Sequence, residues 1–154
     1  MRLSIRPEPS GHHYMPGRKP LSKIDLLPLP AAKVRSMSLG NHMAFAVVKA
    51  GKGSREQASV LLRMIYLAYY LREEVASGRD VELYCQAERA LEHCIECSVQ
   101  SNAWMLTPEE QEIVGRILSL HDAQLAVVAA HRYVRAWERL QAFLTAGTDR
   151  SIVS

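Results

Sequence analysis

Residues 55–76, REQASVLLRMIYLAYYLREEVA, constrain this chain more than any other stretch. On a helical wheel, Val60, Leu61, Leu62, Met64, Ile65, Leu67, Ala68, Tyr69 and Leu71 take up nearly the whole circumference. A helix apolar on most sides must be packed on most sides, so the segment predicts a central helix surrounded by others. Its start is marked by Ser54, with Gln57 three residues later completing a capping box. The end is expected at SGRD, residues 77–80, with Gly78 as C-cap and Asp80 as the next N-cap.

The flanking segments carry the same helical period. Residues 36–50 space Leu39, Met43, Ala46 and Val47 along one face, expected to be the buried one, and end at the glycines of GKGS. Residues 81–100 place Tyr84, Ala87, Leu91, Cys94, Ile95 and Ser98 on one stripe, with Glu88, Arg89, Glu92 and Glu96 expected on the opposite side. Thr107-Pro108-Glu109-Glu110 is the sharpest boundary: a threonine N-cap, proline at N1 and glutamate at N3 agree with one another and with the helix dipole. Ile113, Val114, Ile117, Leu118, His121, Gln124, Leu125 and Val128 follow on one face, with His121 expected to be half-buried and hydrogen-bonded to a neighbouring helix. A single helix over 108–145 would be about 57 Å long, too long for a domain of this size, so a break is expected within 126–131. The fifth helix, 130–145, offers Val134, Trp137, Leu140 and Leu144 as its buried face, and Gly147 closes it. The expectation is an all-α, five-helix bundle over residues 34–147, with a short tail at 148–154.

Charge divides the chain in the same place. The net charge is +3, yet residues 1–35 alone sum to +5 and the remaining 119 residues to −2. Six of the seven prolines lie in the first 30 residues, which forbids a sustained helix there. Residues 1–33 therefore read as an extended or disordered basic arm. Arg18, Lys19, Lys23, Lys33 and Arg35, together with Arg132, Arg135 and Arg139 at i, i+3 and i+7 of the last helix, form the candidate polyanion-binding set. No apolar run reaches the roughly 18 residues of a bilayer-spanning helix, and the first twenty residues lack the apolar run of a secretory signal. A cytoplasmic location without membrane contact is the expectation.

No motif brings enzyme chemistry with it. Cys94 and Cys97 form a C-x-x-C, but late in a helix, where the dipole disfavours a thiolate, and no second pair supplies a zinc set. The AGKGS loop lacks the upstream glycine and the preceding strand of a Walker A loop. His42, His121 and His131 fall on helices without a serine or carboxylate at diagnostic spacing. No catalytic residue, metal ligand or cofactor site is expected.

The segments LGNHMAFAVVKAGKGSREQASVLLRMIYLAYYL, AERALEHC, LSLHDAQL and HRYVRAWERLQAFL resemble a group of short proteobacterial helical proteins commonly labelled Fis-family transcriptional regulators. The likeness spans residues 36–146 and includes His42, His121 and Asp122. It implies a bacterial, cytoplasmic helical protein. Residues 107–146 show neither the short glycine-containing turn nor the cationic recognition helix of a Fis-like DNA-binding unit. The functional expectation is a non-enzymatic interaction or regulatory module that associates with itself or with a protein partner. The alternative is a DNA-associated regulator using the basic arm and the Arg132/Arg135/Arg139 stripe.

Overall fold

A computed structural model describes residues 19–147 and Ser151. It holds five α-helices: α1 (Ala31–Lys49), α2 (Arg55–Tyr70), α3 (Val81–Ser101), α4 (Pro108–Val127) and α5 (Ala130–Thr145). A single 3-10 turn, Ala76–Arg79, joins α2 to α3. α2 packs against all four other helices, and α1 and α3 also pack on α4. Leu61, Ile65 and Ala68 of α2 are wholly enclosed, as the apolar circumference of that helix requires. No helix among the described residues is long and apolar enough to cross a membrane.

The caps written in the sequence form as expected. Ser54 and Gln57 close one capping box and Thr107 and Glu110 the other. Gly51 takes the left-handed conformation after α1, at φ 71°, where a side chain would be strained. The second break differs from expectation. α2 ends at Tyr70, six residues early, and Gly78 caps nothing: it is buried in the 3-10 turn, where a Cβ would stand 2.6 Å from the Arg72 carbonyl oxygen. Asp80 starts α3 without a side-chain cap bond.

The helical part of the chain begins before the expected residue 34. α1 begins directly after Pro30, so Lys33 and Arg35 belong to a helix and not to an arm. Lys33 lies over the Tyr133 ring, 5.0 Å from its centroid. Residues 1–18, including Arg18, lie outside the described residues. From residue 19 to Pro30 the chain has a defined course, neither helical nor free. Asp25 folds back on Ser22, accepting bonds from its backbone N–H at 2.7 Å and its hydroxyl at 2.8 Å. The Asp25 and Leu27 carbonyls then accept the backbone N–H groups of His131 and Ala130 at 2.9 and 2.8 Å. Those two donors open α5 and have no partner within it. α5 has no side-chain cap; backbone carbonyls of the turn around residues 25–27, more than one hundred residues upstream, take its place. The α4–α5 break occurs at Val128–Ala129, both extended, within the expected window.

Two helix faces, those of α1 and α5, are rotated from expectation, whereas the α3 stripe of Tyr84, Ala87, Leu91, Cys94 and Ser98 is buried as expected except that Glu88 joins it. On α1 the inner residues are Val34, Met37, Ala44, Phe45 and Val48, while Leu39 and Met43 stand 61% and 59% exposed. On α5 the inner residues are Tyr133, Ala136, Leu140 and Phe143, and Val134, Trp137 and Leu144 are exposed. On α3 Glu88 is buried, not solvated. It follows Tyr84 by four residues and precedes Leu91 by three, which puts it on the apolar stripe. Ser151 donates to it at 2.8 Å, and burial together with the Glu88 carboxylate pushes the Tyr66 hydroxyl well above its usual pKa.

Candidate interaction surface and polar clusters

α1 is a helix with two apolar faces. The inner one is used. The outer one carries two parallel rows at four-residue spacing, Ala32–Ser36–Gly40 and Leu39–Met43–Val47, with Ala46 beside them. Arg35 heads the Leu39–Met43–Val47 row, and from Leu39 to Val47 no charged residue interrupts this face over about 12 Å of helix. A small row beside a large row makes a groove next to a ridge, and nothing lies within 4 Å of where a Gly40 Cβ would be. The charges of α1, Lys33, Arg35 and Lys49, flank the face, and the helix has no acidic residue.

Beside this face α1 is stapled to α4. The Asp122 carboxylate accepts from the Ser38 hydroxyl and meets His42 Nε2, each at 2.7 Å. The segments around His42 and Asp122 thus meet, but with the carboxylate between serine and histidine. That order joins two helices and leaves no base on the hydroxyl, unlike a nucleophilic triad.

His121 turns the other way and is 2% exposed. Its partner is on its own helix, not a neighbouring one. Gln124 donates its amide to the Ala68 and Leu71 carbonyls at 2.9 and 3.1 Å, so its oxygen faces His121 Nδ1 at 3.0 Å. Both amide hydrogens being committed, Nδ1 must carry the imidazole proton, and Nε2 keeps a lone pair. Burial holds the imidazole below its ordinary pKa, so it is neutral at pH 7. His121 forms part of the wall of a cavity of about 270 Å³ with Met37, Met64, Leu67, Tyr133 and Trp137.

The arginine stripe of α5 is exposed, as its spacing predicts, but it faces acidic residues. Arg132 meets Glu74 at 3.2 Å, and Arg135 and Arg139 share a groove with Glu73 and Glu74. Arg139 stacks 4.6 Å from the Tyr70 ring centroid. The described arm residues Lys19 and Lys23 are exposed.

A fourth cluster, absent from the candidates that the sequence offers, lies where α3 meets the start of α4. Cys97 lies 3.4 Å from His93 Nε2, and His93 Nδ1 lies 2.7 Å from Glu110 Oε1. The signal was the i, i+4 spacing of His93 and Cys97, which places them one helical turn apart. Glu110 comes from α4 and cannot be found by spacing. Cys94 is enclosed, and burial, then Glu110 and Cys97, push its thiol up to about 11. No group of three or more His, Cys, Asp or Glu placed to hold a metal ion occurs among the described residues.

Comparison with known proteins returns no match to a protein-family model, a curated protein or a solved structure.

Proposed function

We propose that this protein is a non-enzymatic helical interaction module that pairs with a second copy of itself through the outer face of α1. One observation carries the reading: α1 exposes a second apolar, uncharged face, with Leu39 61% and Met43 59% exposed. A two-fold axis brings the same patch to itself, so the patch must be self-complementary. The Leu39–Met43 ridge of one copy fits the Ser36–Gly40 groove of the other, and the bare Gly40 backbone permits close approach. An uncharged face sets no like charges against each other at its centre. The basic flanks of α1 do repel, and salt screens that repulsion.

This reading makes a directional forecast. Light scattering coupled to size exclusion should give a dimer whose stability rises between low and moderate salt. Met43→Glu should give a monomer with an unchanged circular-dichroism spectrum. A wild-type monomer throughout the micromolar range refutes the proposal. The regulatory, bacterial and cytoplasmic parts of the reading rest on the sequence resemblance. Retention on duplex DNA that weakens with salt and disappears on deletion of residues 1–30 would put the DNA-associated regulator in its place.

A further inference from the structure

We propose that Cys97 is a peroxide-reactive thiol, with His93 as its general base and Glu110 holding that base in position. The reasoning starts from donor and acceptor capacity. The Glu110 carboxylate accepts, so the 2.7 Å contact to His93 is a bond donated by Nδ1–H. Nε2 then carries the lone pair and accepts from the Cys97 thiol at 3.4 Å. Thiol, imidazole and carboxylate therefore stand in the order that activates a nucleophile, the order the Ser38–Asp122–His42 staple lacks.

The relay is braced at its far end. The second Glu110 oxygen accepts the Thr107 backbone N–H at 2.8 Å, closing the α4 capping box. The carboxylate is thus fixed by backbone geometry, and it fixes the imidazole. Cys97 lies four residues before the end of α3, where the helix dipole disfavours a standing thiolate. In the reaction the thiol proton moves along this contact to His93 as the new bond forms. Cys97 is partly exposed and His93 half-exposed, so a small oxidant has access.

With hydrogen peroxide the step balances. Cys97 Sγ attacks one peroxide oxygen; the S–O bond forms as the O–O bond breaks. The thiol proton passes to His93 Nε2 and then to the departing hydroxide, giving water. Sulfur loses two electrons and becomes a sulfenic acid, and the peroxide is reduced. Cys94, the other cysteine of the C-x-x-C pair, is enclosed and has no such base, so the two thiols differ in kind.

The test uses the full chain, hydrogen peroxide and dimedone as the sulfenic-acid trap, with mass spectrometry to locate the adduct. The expected result is a dimedone adduct at Cys97 ahead of Cys85 and Cys94. His93→Gln should slow the reaction about a hundredfold or more, the low end of what a general base contributes. Glu110→Gln keeps a residue that supports the capping box but removes the charge that stabilises the imidazolium, and should also slow it. Circular dichroism establishes that both variants are folded. Labelling of Cys97 no faster than Cys85, or an unchanged rate in His93→Gln, overturns the proposal.

Discussion

Replacing Gln124 with methionine tests how the centre of the bundle is held together. Gln124 is fully enclosed on α4 and donates to two carbonyls near the end of α2. Leu71 O has a second donor, the Glu74 backbone N–H at 3.0 Å. Ala68 O does not, because Arg72 N–H, which would close its helical bond, turns to Tyr69 O at 3.2 Å. Methionine fills similar volume without a donor or a strong acceptor, so it leaves two buried groups unpaired: Ala68 O and the Nδ1–H of His121. Each such group costs about 1–3 kcal/mol, which gives a loss of roughly 2–6 kcal/mol. That is a large share of the ~5–15 kcal/mol expected for a whole domain. Urea unfolding at pH 7, followed by circular dichroism, reads the loss as a lower midpoint at unchanged slope. A loss under about 1 kcal/mol refutes the reasoning, since it means that both groups find other partners.

Further outcomes follow from named contacts. The folded-state pKa of His121 is depressed, whereas the unfolded chain protonates near its ordinary value of about 6.5. Above that pH the imidazole is neutral in both states and contributes no pH dependence. Below it only the unfolded state takes up the proton, so stability falls toward acid by up to about 1.4 kcal/mol per pH unit. His121→Phe should flatten that slope in urea titrations between pH 7 and 5, and an unchanged slope counts against a buried neutral imidazole. Gly78→Ala should destabilise by about 1–3 kcal/mol, because the new Cβ meets the Arg72 carbonyl oxygen at 2.6 Å. Gly115→Ala should stabilise α4 by about 0.5–1 kcal/mol in thermal unfolding, because its Cβ would lie an ordinary 3.6 Å from Phe45. Thr107→Ala should cost about 1 kcal/mol by loss of the N-cap bond.

The features legible in the sequence are those that local chemistry determines. Ser54 with Gln57, and Thr107 with Pro108 and Glu110, set helix starts because donor, acceptor and backbone lie within one turn. The all-round apolar α2 required a bundle around it, whatever its partners. The orientation of α1 was not legible, because Leu39–Met43–Val47 and Val34–Met37–Ala44–Val48 are both apolar rows at helical spacing. Periodicity finds rows but cannot choose between two. Packing against α2 and α4, and the Asp122 link to Ser38 and His42, made that choice and left the Leu39–Met43 row outside. Cys97, His93 and Glu110 meet for the same reason, two residues from one helix and one from the next. The start of α5 depends on carbonyls of Asp25 and Leu27 across more than a hundred residues. Capping and composition act over a few bonds and can be read along the chain. Which face turns inward, and which distant groups touch, is set by the simultaneous fit of all five helices.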